Sequence, residues 1–221
     1  MILFQNEACL VINKRIGESS ESPHQIPDGT VPVGSILIPV HRIDMPVSGC
    51  LILAKTKRAL AFLSSVFASR RVEKRYWAII EKPASDAPLL PESGELIHYI
   101  QFNAAKNKSF AYDEDGKDRK KAVMRYRIAG SGTHYLFMEI DLETGRHHQI
   151  RAQLAAINLH IKGDLKYGAR RSEKAGGIRL HAHSLSFPDP LDPEHPISVQ
   201  ALPHSMDALW TAFLQAVEKT R

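Results

Sequence analysis

Residues 120–142 read KKAVMRYRIAGSGTHYLFMEIDL. Ala122, Met124, Tyr126 and Ile128 alternate with Arg125 and Arg127, and Leu136, Met138, Ile140 and Leu142 alternate again. Side chains of an extended chain point to opposite faces in turn, so each run predicts a half-buried strand. Working outward, ACLVIN at 8–13, the apolar run from Cys50 to Ala54, KRYWAII at 74–80 and the stretch Ile178–Phe187 predict further strands. Helical spacing is rarer. Thr56 can cap a helix carrying Leu60, Leu63 and Phe67, and Arg146 to Ile157 reads as a helix after Gly145. Near the C-terminus, Met206, Leu209, Trp210, Phe213, Leu214 and Val217 fall on one helical face. Loops are expected over Ile16–Val33 and over 83–94 with its three prolines, a loop or hairpin tip over Asp113–Lys121, and turns at Met45–Gly49 and Pro188–Pro190. Strands outnumber helices and are not regularly interleaved with them. The expectation is an α+β fold, a mixed and largely antiparallel sheet with flanking helices, in a single domain over 1–221.

The 221 residues are 43% hydrophobic and 24% charged, which excludes a disordered tail, a collagen-like repeat and a disulfide-knotted mini-protein. A chain of this length buries a full core without staples. Cys9 and Cys50 match no zinc or redox spacing, which favours a reducing compartment. The opening MILFQNEACLVINKR has no basic leader, and no apolar run approaches the ~20 residues that span a bilayer. A cytoplasmic protein with no membrane partner is expected, and a monomer is the simplest assembly. The net charge of +5 suits a polyanionic partner, though enzymes of small anions share it.

Three polar segments stand beside apolar strands. In His41-Arg42-Ile43-Asp44, an aspartate at the mouth of a buried strand with no second acid nearby suits a nucleophile or charge stabiliser. Asp44 reads equally as a turn or cap residue, with Arg42 its surface partner. In Thr144-Gly145-Arg146-His147-His148-Gln149-Ile150-Arg151, a glycine precedes a helix start dense in donors, a natural place for an anion. Helical geometry would put His147 and Arg151 on one face, and Arg146 and Ile150 on another. Cations in a first turn oppose the helix dipole, so a compensating charge is expected: a substrate phosphate, Asp44 or Asp164. The bland alternative is a solvated basic helix face.

In Arg179-Leu180-His181-Ala182-His183, alternation puts both histidines on one strand face. Zinc binding finds no cysteine to help and no H-E-x-x-H pattern, so hydrogen-bonded structural histidines are the better account. Tyr76 reads as a half-buried strand aromatic or as a stacking partner for a planar ligand. No Gly-rich phosphate loop, G-x-S-x-G elbow or dinucleotide fingerprint is present.

HRIDMPVSGCLILAK at 41–55 resembles the signature segment of the RluA-type pseudouridine synthases, roughly H-R-L-D-x-x-T-S-G-L-L-L-x-A-K. The similarity continues in family order through KRYWAII at 74–80, KKAVMRYRI at 120–128, LETGRHHQIRAQLAA at 142–156, IKGDLKYG at 161–168 and RLHAHSLSF at 179–187. A lone H-R-x-D is weak; six segments in order, over residues 8 to 190, are specific. The resemblance implies the family's fold with a central active-site cleft, and isomerisation of uridine to pseudouridine in structured RNA. It implies Asp44 as the catalytic aspartate, acting at the sugar C1′ or by deprotonation at C2′. Arg151 maps onto the family's basic partner of that aspartate, through a direct hydrogen-bonded pair, and Tyr76 onto its pocket tyrosine. Leu180 corresponds to the apolar residue lining the base, and Arg42 and Arg146 to contacts with RNA phosphates. His41, which opens the signature, is grouped with them on the substrate side. Chemistry on a stacked base requires extruding it. Neither a metal nor an organic cofactor is implied.

The sequence departs from the pattern at Lys14-Arg15-Ile16-Gly17, where Lys-Pro-x-Gly is usual, and at Pro46-Val47 before Ser48. His147 replaces a small hydroxyl residue, and Leu159-His160 stands where His-Pro is common. The Asp, Tyr and second Arg are intact, so the reaction class is expected to hold while the choice of ribosomal or transfer RNA stays open. Without a separate N-terminal RNA-binding module, the catalytic body is expected to supply the RNA contacts. The rival readings are a non-catalytic RNA-binding protein on this scaffold and a metal-dependent hydrolase using the histidines.

Overall fold

A computed structural model describes residues 1–21, 37–83 and 90–219. The first elements in chain order are strands β1 (Ile2–Gln5), β2 (Cys9–Lys14), β3 (Ile38–Pro39) and β4 (Ser48–Ala54), then helix α1 (Lys57–Ala68). Strands β5 (Glu73–Glu81), β6 (Ser93–Asn103), β7 (Lys108–Tyr112), β8 (Lys120–Ser131) and β9 (Tyr135–Leu142) follow. Helix α2 (Gln149–Ala156), β10 (His160–Ile161) and a 3-10 turn (Leu165–Tyr167) lead to β11 (Leu180–Pro188), β12 (Pro196–Gln200) and helix α3 (Ala208–Lys219). Strands are mixed and mostly antiparallel, as expected. The described residues gather into two compact units: Met1–Arg75 with His181–His204, and Tyr76–Leu180 with Ser205–Arg221.

In the first unit β2 pairs antiparallel with both β1 and β4, while β4 runs parallel to β11, which pairs antiparallel with β12. Every residue of β2 and of β4 is buried, so these apolar runs form the unit's centre. The parallel pairing sets His181 and Ala182 opposite Ser48 and Gly49. Gly49 has φ +121, and a Cβ there would lie 2.2 Å from the Ala182 carbonyl oxygen, so the two strands meet only because the residue is glycine. Thr56 caps α1 as expected, its hydroxyl accepting from the Ala59 N–H at 3.0 Å. Leu63 and Val66 of α1 are fully buried in a core shared with Ile52, Leu185 and Phe187.

In the second unit the strand order is β5-β9-β8-β6-β7, with β10 antiparallel to β5. The expected alternation holds only in part in β8: Ala122, Met124 and Tyr126 are buried and Arg125 is exposed, but Val123 is buried as well and Arg127 and Ile128 are both half-buried. In β9 it is lost altogether, because Phe137 and Glu139 are buried along with Leu136, Met138 and Ile140. Glu139 is tolerated there because it accepts from the Trp77 indole at 3.3 Å and from the Arg127 guanidinium. Trp210, Phe213 and Val217 of α3 close this core over Trp77, Ile79, Ala129 and Phe137. Met206 precedes the helix and is 36% exposed, so it does not join that face.

Other expectations need correction. The helix predicted from Arg146 starts at Gln149, because His148 is left-handed with φ 53 and interrupts the winding. The Gln149 side chain then serves as the tie. It accepts from the Arg146 N–H (3.0 Å) and the Thr144 hydroxyl (2.7 Å), and donates to the Val123 carbonyl (3.1 Å). Arg146 and His147 therefore lie outside the helix and share no helical face with Ile150 and Arg151. The rings of His147 and His148 stack on each other at 3.8 Å. Strands β1, β3, β6, β7, β10 and β12 were not anticipated. In β6 the two buried positions are His98 and Ile100, so its apolar residues alone trace no face. The excursion expected over 83–94 ends at Glu92; residues 84–89 of it, and 22–33 of the first expected loop, lie outside the described residues. Among the described residues no helix is long and apolar enough to cross a membrane.

Candidate active site

Asp44 belongs to the first unit, in a turn between β3 and β4 that closes with the Val47 N–H donating to the Asp44 carbonyl at 2.9 Å. The backbone on each side is fixed by the last residue of β2 and by residues of the segment after it. The buried Ser20 hydroxyl accepts from the Ile43 N–H (3.1 Å) and donates to the Ile43 carbonyl (2.8 Å). The Met45 carbonyl accepts from the Gly17 N–H (2.8 Å) and from Lys14 Nζ (3.4 Å). Lys14 is wholly buried, and its ammonium also donates to the carbonyls of Arg15 and Glu18, each at 2.9 Å. Three carbonyls thus take its three protons. Burial pulls its pKa down to about 8, against the upward pull of Glu18 and Asp44. Asp44 itself is half-buried.

His41 stacks on Phe67 at 4.9 Å, and its Nε2 accepts from the Ile52 N–H at 3.2 Å. Burial, with the Lys74 charge, pushes it down to about 3, so the ring is neutral and fastens the start of the signature to β4. Arg42 is exposed and pairs with Glu21 at 3.3 Å, both side chains 70% exposed. His181 and His183 share the Ala201 carbonyl, at 2.9 and 2.8 Å, and His181 Nδ1 meets the Ser48 hydroxyl at 2.8 Å. With Nε2 donating to the carbonyl, Nδ1 is the acceptor and Ser48 the donor. His181 has no exposed surface and is pushed by burial to about 3. The pair joins β4 to β11 and is structural, as the sequence suggested. Among the described residues no group of three or more His, Cys, Asp or Glu could hold a metal ion.

Arg151 and Tyr76 belong to the second unit. Arg151 is 5% exposed, on the buried face of α2, and forms a bidentate pair with Asp164: Nε to Oδ2 at 2.6 Å and Nη2 to Oδ1 at 2.8 Å. Asp164 stands just before the 3-10 turn and is 1% exposed, so both charges are desolvated and depend on each other. Asp164 was one of three compensating charges considered for this segment. The Tyr167 ring, which ends the turn, lies 4.8 Å from the guanidinium. Its hydroxyl is held by the Ser109 N–H (2.9 Å), the Ser109 carbonyl (3.1 Å) and His148 Nδ1 (3.0 Å). Burial, then the charges of Arg151, His147 and Lys166, push His148 down to about 3. A neutral ring is what a site already holding a buried guanidinium tolerates.

Tyr76 is half-buried on β5, and Leu180 is 4% exposed at the start of β11. Arg146 is half-buried, its Nε donating to the Lys121 carbonyl at 3.0 Å. Sequence reasoning did not single out Lys14, Ser20 or Tyr167. Two of these stood in quoted segments, Lys14 in the Lys-Pro-x-Gly counterpart and Tyr167 in IKGDLKYG, while Ser20 lies in a stretch read only as loop.

Comparison with known proteins follows the same residues. The family model described as RNA pseudouridylate synthase matches residues 10–156, a stretch that contains Asp44, Tyr76 and Arg151. The chain is 30% identical to the ribosomal large subunit pseudouridine synthase D of Zymomonas mobilis, over 95% of this chain and 71% of that protein. It is 28% identical to the tRNA pseudouridine synthase C of Vibrio cholerae, over 96% and 93%. It spans 65% of one curated relative and about half the length of others. In fold it resembles human RNA pseudouridylate synthase domain containing 4, with TM-score 0.72, 21% identity, and coverage of 98% of this chain and 92% of that one. The six ordered motifs and a family match over two thirds of the residues lead to one conclusion: the chain belongs to the RNA pseudouridylate synthase family.

Proposed function

We propose that the protein isomerises uridine to pseudouridine in ribosomal or transfer RNA, with Asp44 as the catalytic aspartate. The observation that carries this reading is the family match over residues 10–156, the span in which Asp44, Tyr76 and Arg151 lie. In the reaction the N1–C1′ bond breaks, the uracil turns, and C5 bonds to C1′; C5 gives up its proton and N1 ends protonated. The carboxylate acts at C1′ or takes the C2′ proton, and either role needs it ionised and aimed at the ribose. A turn held at Ile43 and Met45 from three directions supports the aiming, since a half-ångström error in such a group is costly. Tyr76 stacks on the extruded base, Leu180 lines it, and Arg151 is the aspartate's basic partner. Arg42 and Arg146 meet backbone phosphates, and His41 braces the signature segment.

The reaction replaces the C5 hydrogen, so RNA labelled with tritium at uracil C5 releases its label to water once per turnover. Purified protein is expected to release it from ribosomal or transfer RNA, and Asp44→Asn, which keeps shape but removes charge, to bind that RNA and release none. Release at the normal rate by Asp44→Asn would sink the mechanism. RNA bound by the wild type with no release from any labelled RNA would favour a binding protein on the same scaffold. Tyr76→Phe keeps the stacking ring and is expected to bind RNA normally while turning over more slowly.

A further inference from the structure

Residues 162–179, KGDLKYGARRSEKAGGIR, hold six cations and two acids. Both acids are committed inside the second unit. Asp164 is the buried partner of Arg151. Glu173, 7% exposed, accepts from Lys162 Nζ and, at 2.7 Å, from Arg179 Nε, while Arg179 Nη2 also reaches Asp207. Burial works to raise the Glu173 pKa, but the hydrogen bonds from Arg179 and Lys162 outweigh it and hold the carboxyl down to about 2. Gly163 is left-handed at φ +92, and a Cβ there would come within 2.9 Å of Glu173 Cβ, so the clasp closes directly over that glycine. The Glu173 group uses both Lys162 and Arg179. The four remaining cations, Lys166, Arg170, Arg171 and Lys174, are all exposed.

The exposed arc is tied down at its other points as well. The Arg170 N–H donates to Glu81 Oε2 and its Nη2 to the Lys82 carbonyl, each at 3.0 Å. Lys166 Nζ donates to the Asn107 carbonyl at 3.1 Å, and the Lys166 carbonyl accepts from Lys108 Nζ at 2.5 Å. Close behind it, the Ala169 N–H donates to the Asp164 carbonyl at 3.0 Å, so the arc hangs from the residue that fixes Arg151.

We propose that the arc from Lys166 to Lys174 is a pre-shaped RNA-backbone clamp beside Arg151, with Glu173 as the positioning residue that holds its basic edge outward. This rests on the RNA reading above and adds to it the surface that meets phosphate. A clamp held in shape before RNA arrives spares the ordering cost that a loose basic loop would meet on binding. Glu173 thereby favours a polyanion although it is itself an anion.

The test uses the whole chain, with unfractionated transfer RNA and a large-subunit ribosomal RNA fragment as probes, and affinity measured from 50 to 200 mM salt. Replacing Arg170, Arg171 and Lys174 together by Gln is expected to lower the slope of log affinity against log salt by about 2, at ~0.7 per phosphate contact. Glu173→Gln separates the clasp from simple charge. It raises the net charge by one, so charge counting predicts tighter binding, whereas loss of the clasp predicts binding several-fold weaker. Glu173→Asp, which keeps the carboxylate, should recover part of the loss. An unchanged slope in the triple variant overturns the clamp, and tighter binding by Glu173→Gln overturns the positioning role. Wild-type protein with no salt-sensitive affinity for either RNA would instead overturn the RNA reading itself.

Discussion

Asp44 and Arg151 are held in opposite ways. Asp44 is placed through its backbone: Ser20, Gly17 and Lys14 grip the peptide groups of Ile43 and Met45, and the carboxylate follows from the turn they define. Arg151 is placed through its side chain, by a bidentate carboxylate and an aromatic ring that both come from the 164–167 segment. A short aspartate has little freedom once its backbone is fixed. A long arginine has most of its freedom beyond Cβ, so its head group must be clamped directly.

The contrast can be broken most forcefully at Asp164. Asp164→Asn leaves a buried guanidinium without its carboxylate, and we expect about 3–5 kcal/mol of lost stability in urea unfolding together with most of the activity. A loss under about 1 kcal/mol would mean that Arg151 is not held by its side chain as described.

The two regions should also respond to pH with the same sign but in separate windows, one acid and one alkaline. Glu173, held down to about 2 from an ordinary 4.5, stabilises the fold above pH 4.5 and loses that contribution as pH falls toward 2. Lys14, held down to about 8 from 10.5, is costly to keep charged, so stability rises as pH climbs from 8 toward 10.5. Each limb is worth roughly 3 kcal/mol from shifts of this size. Denaturant titrations across pH should lose the acid limb in Glu173→Gln and the alkaline limb in Lys14→Met; limbs that survive those changes would assign the shifts to other groups.

Ser20→Ala tests the backbone grip more gently. It removes a hydroxyl that serves both polar groups of Ile43, and about 1–3 kcal/mol of stability is expected to go with it. The single-turnover rate should fall further than RNA affinity does, because the turn carrying Asp44 loosens while the phosphate contacts remain. Equal losses in rate and affinity would return Ser20 to a purely structural part. The smallest effect belongs to Arg42→Ala. Its pair with Glu21 is 70% exposed on both sides, so stability should move by less than about 0.5 kcal/mol. The RNA salt slope should still drop by roughly one phosphate contact, and a slope identical to wild type would remove Arg42 from the RNA-binding set.

Legibility in the sequence followed the range of the interaction. Strands β2, β4, β5, β8, β9 and β11 were readable because each buries an apolar run or an alternating face, a property of neighbouring residues. β6 was not, since one of its two buried positions is His98, whose Nδ1 meets the Gln153 amide at 3.1 Å. That partner lies 55 residues away. The start of α2 was misplaced for a similar reason. Propensity runs on through Arg146 and His147, while the Gln149 side chain, tied to β8, ends the loop three residues later.

The fold class, the family and the candidacy of Asp44, Tyr76 and Arg151 were written in local order: periodic apolar residues and six motifs in sequence. Local order could not say which acid compensates Arg151, what grips the turn at Asp44, or why a lysine can be wholly buried. Those are pairings between segments far apart in the chain. Arg151 could choose among carboxylates on paper; folding brings Asp164 edge-on to its guanidinium, and that bidentate pairing offsets the desolvation of both charges. Lys14 is tolerated because three backbone carbonyls converge on its ammonium, and convergence is a property of the folded chain alone.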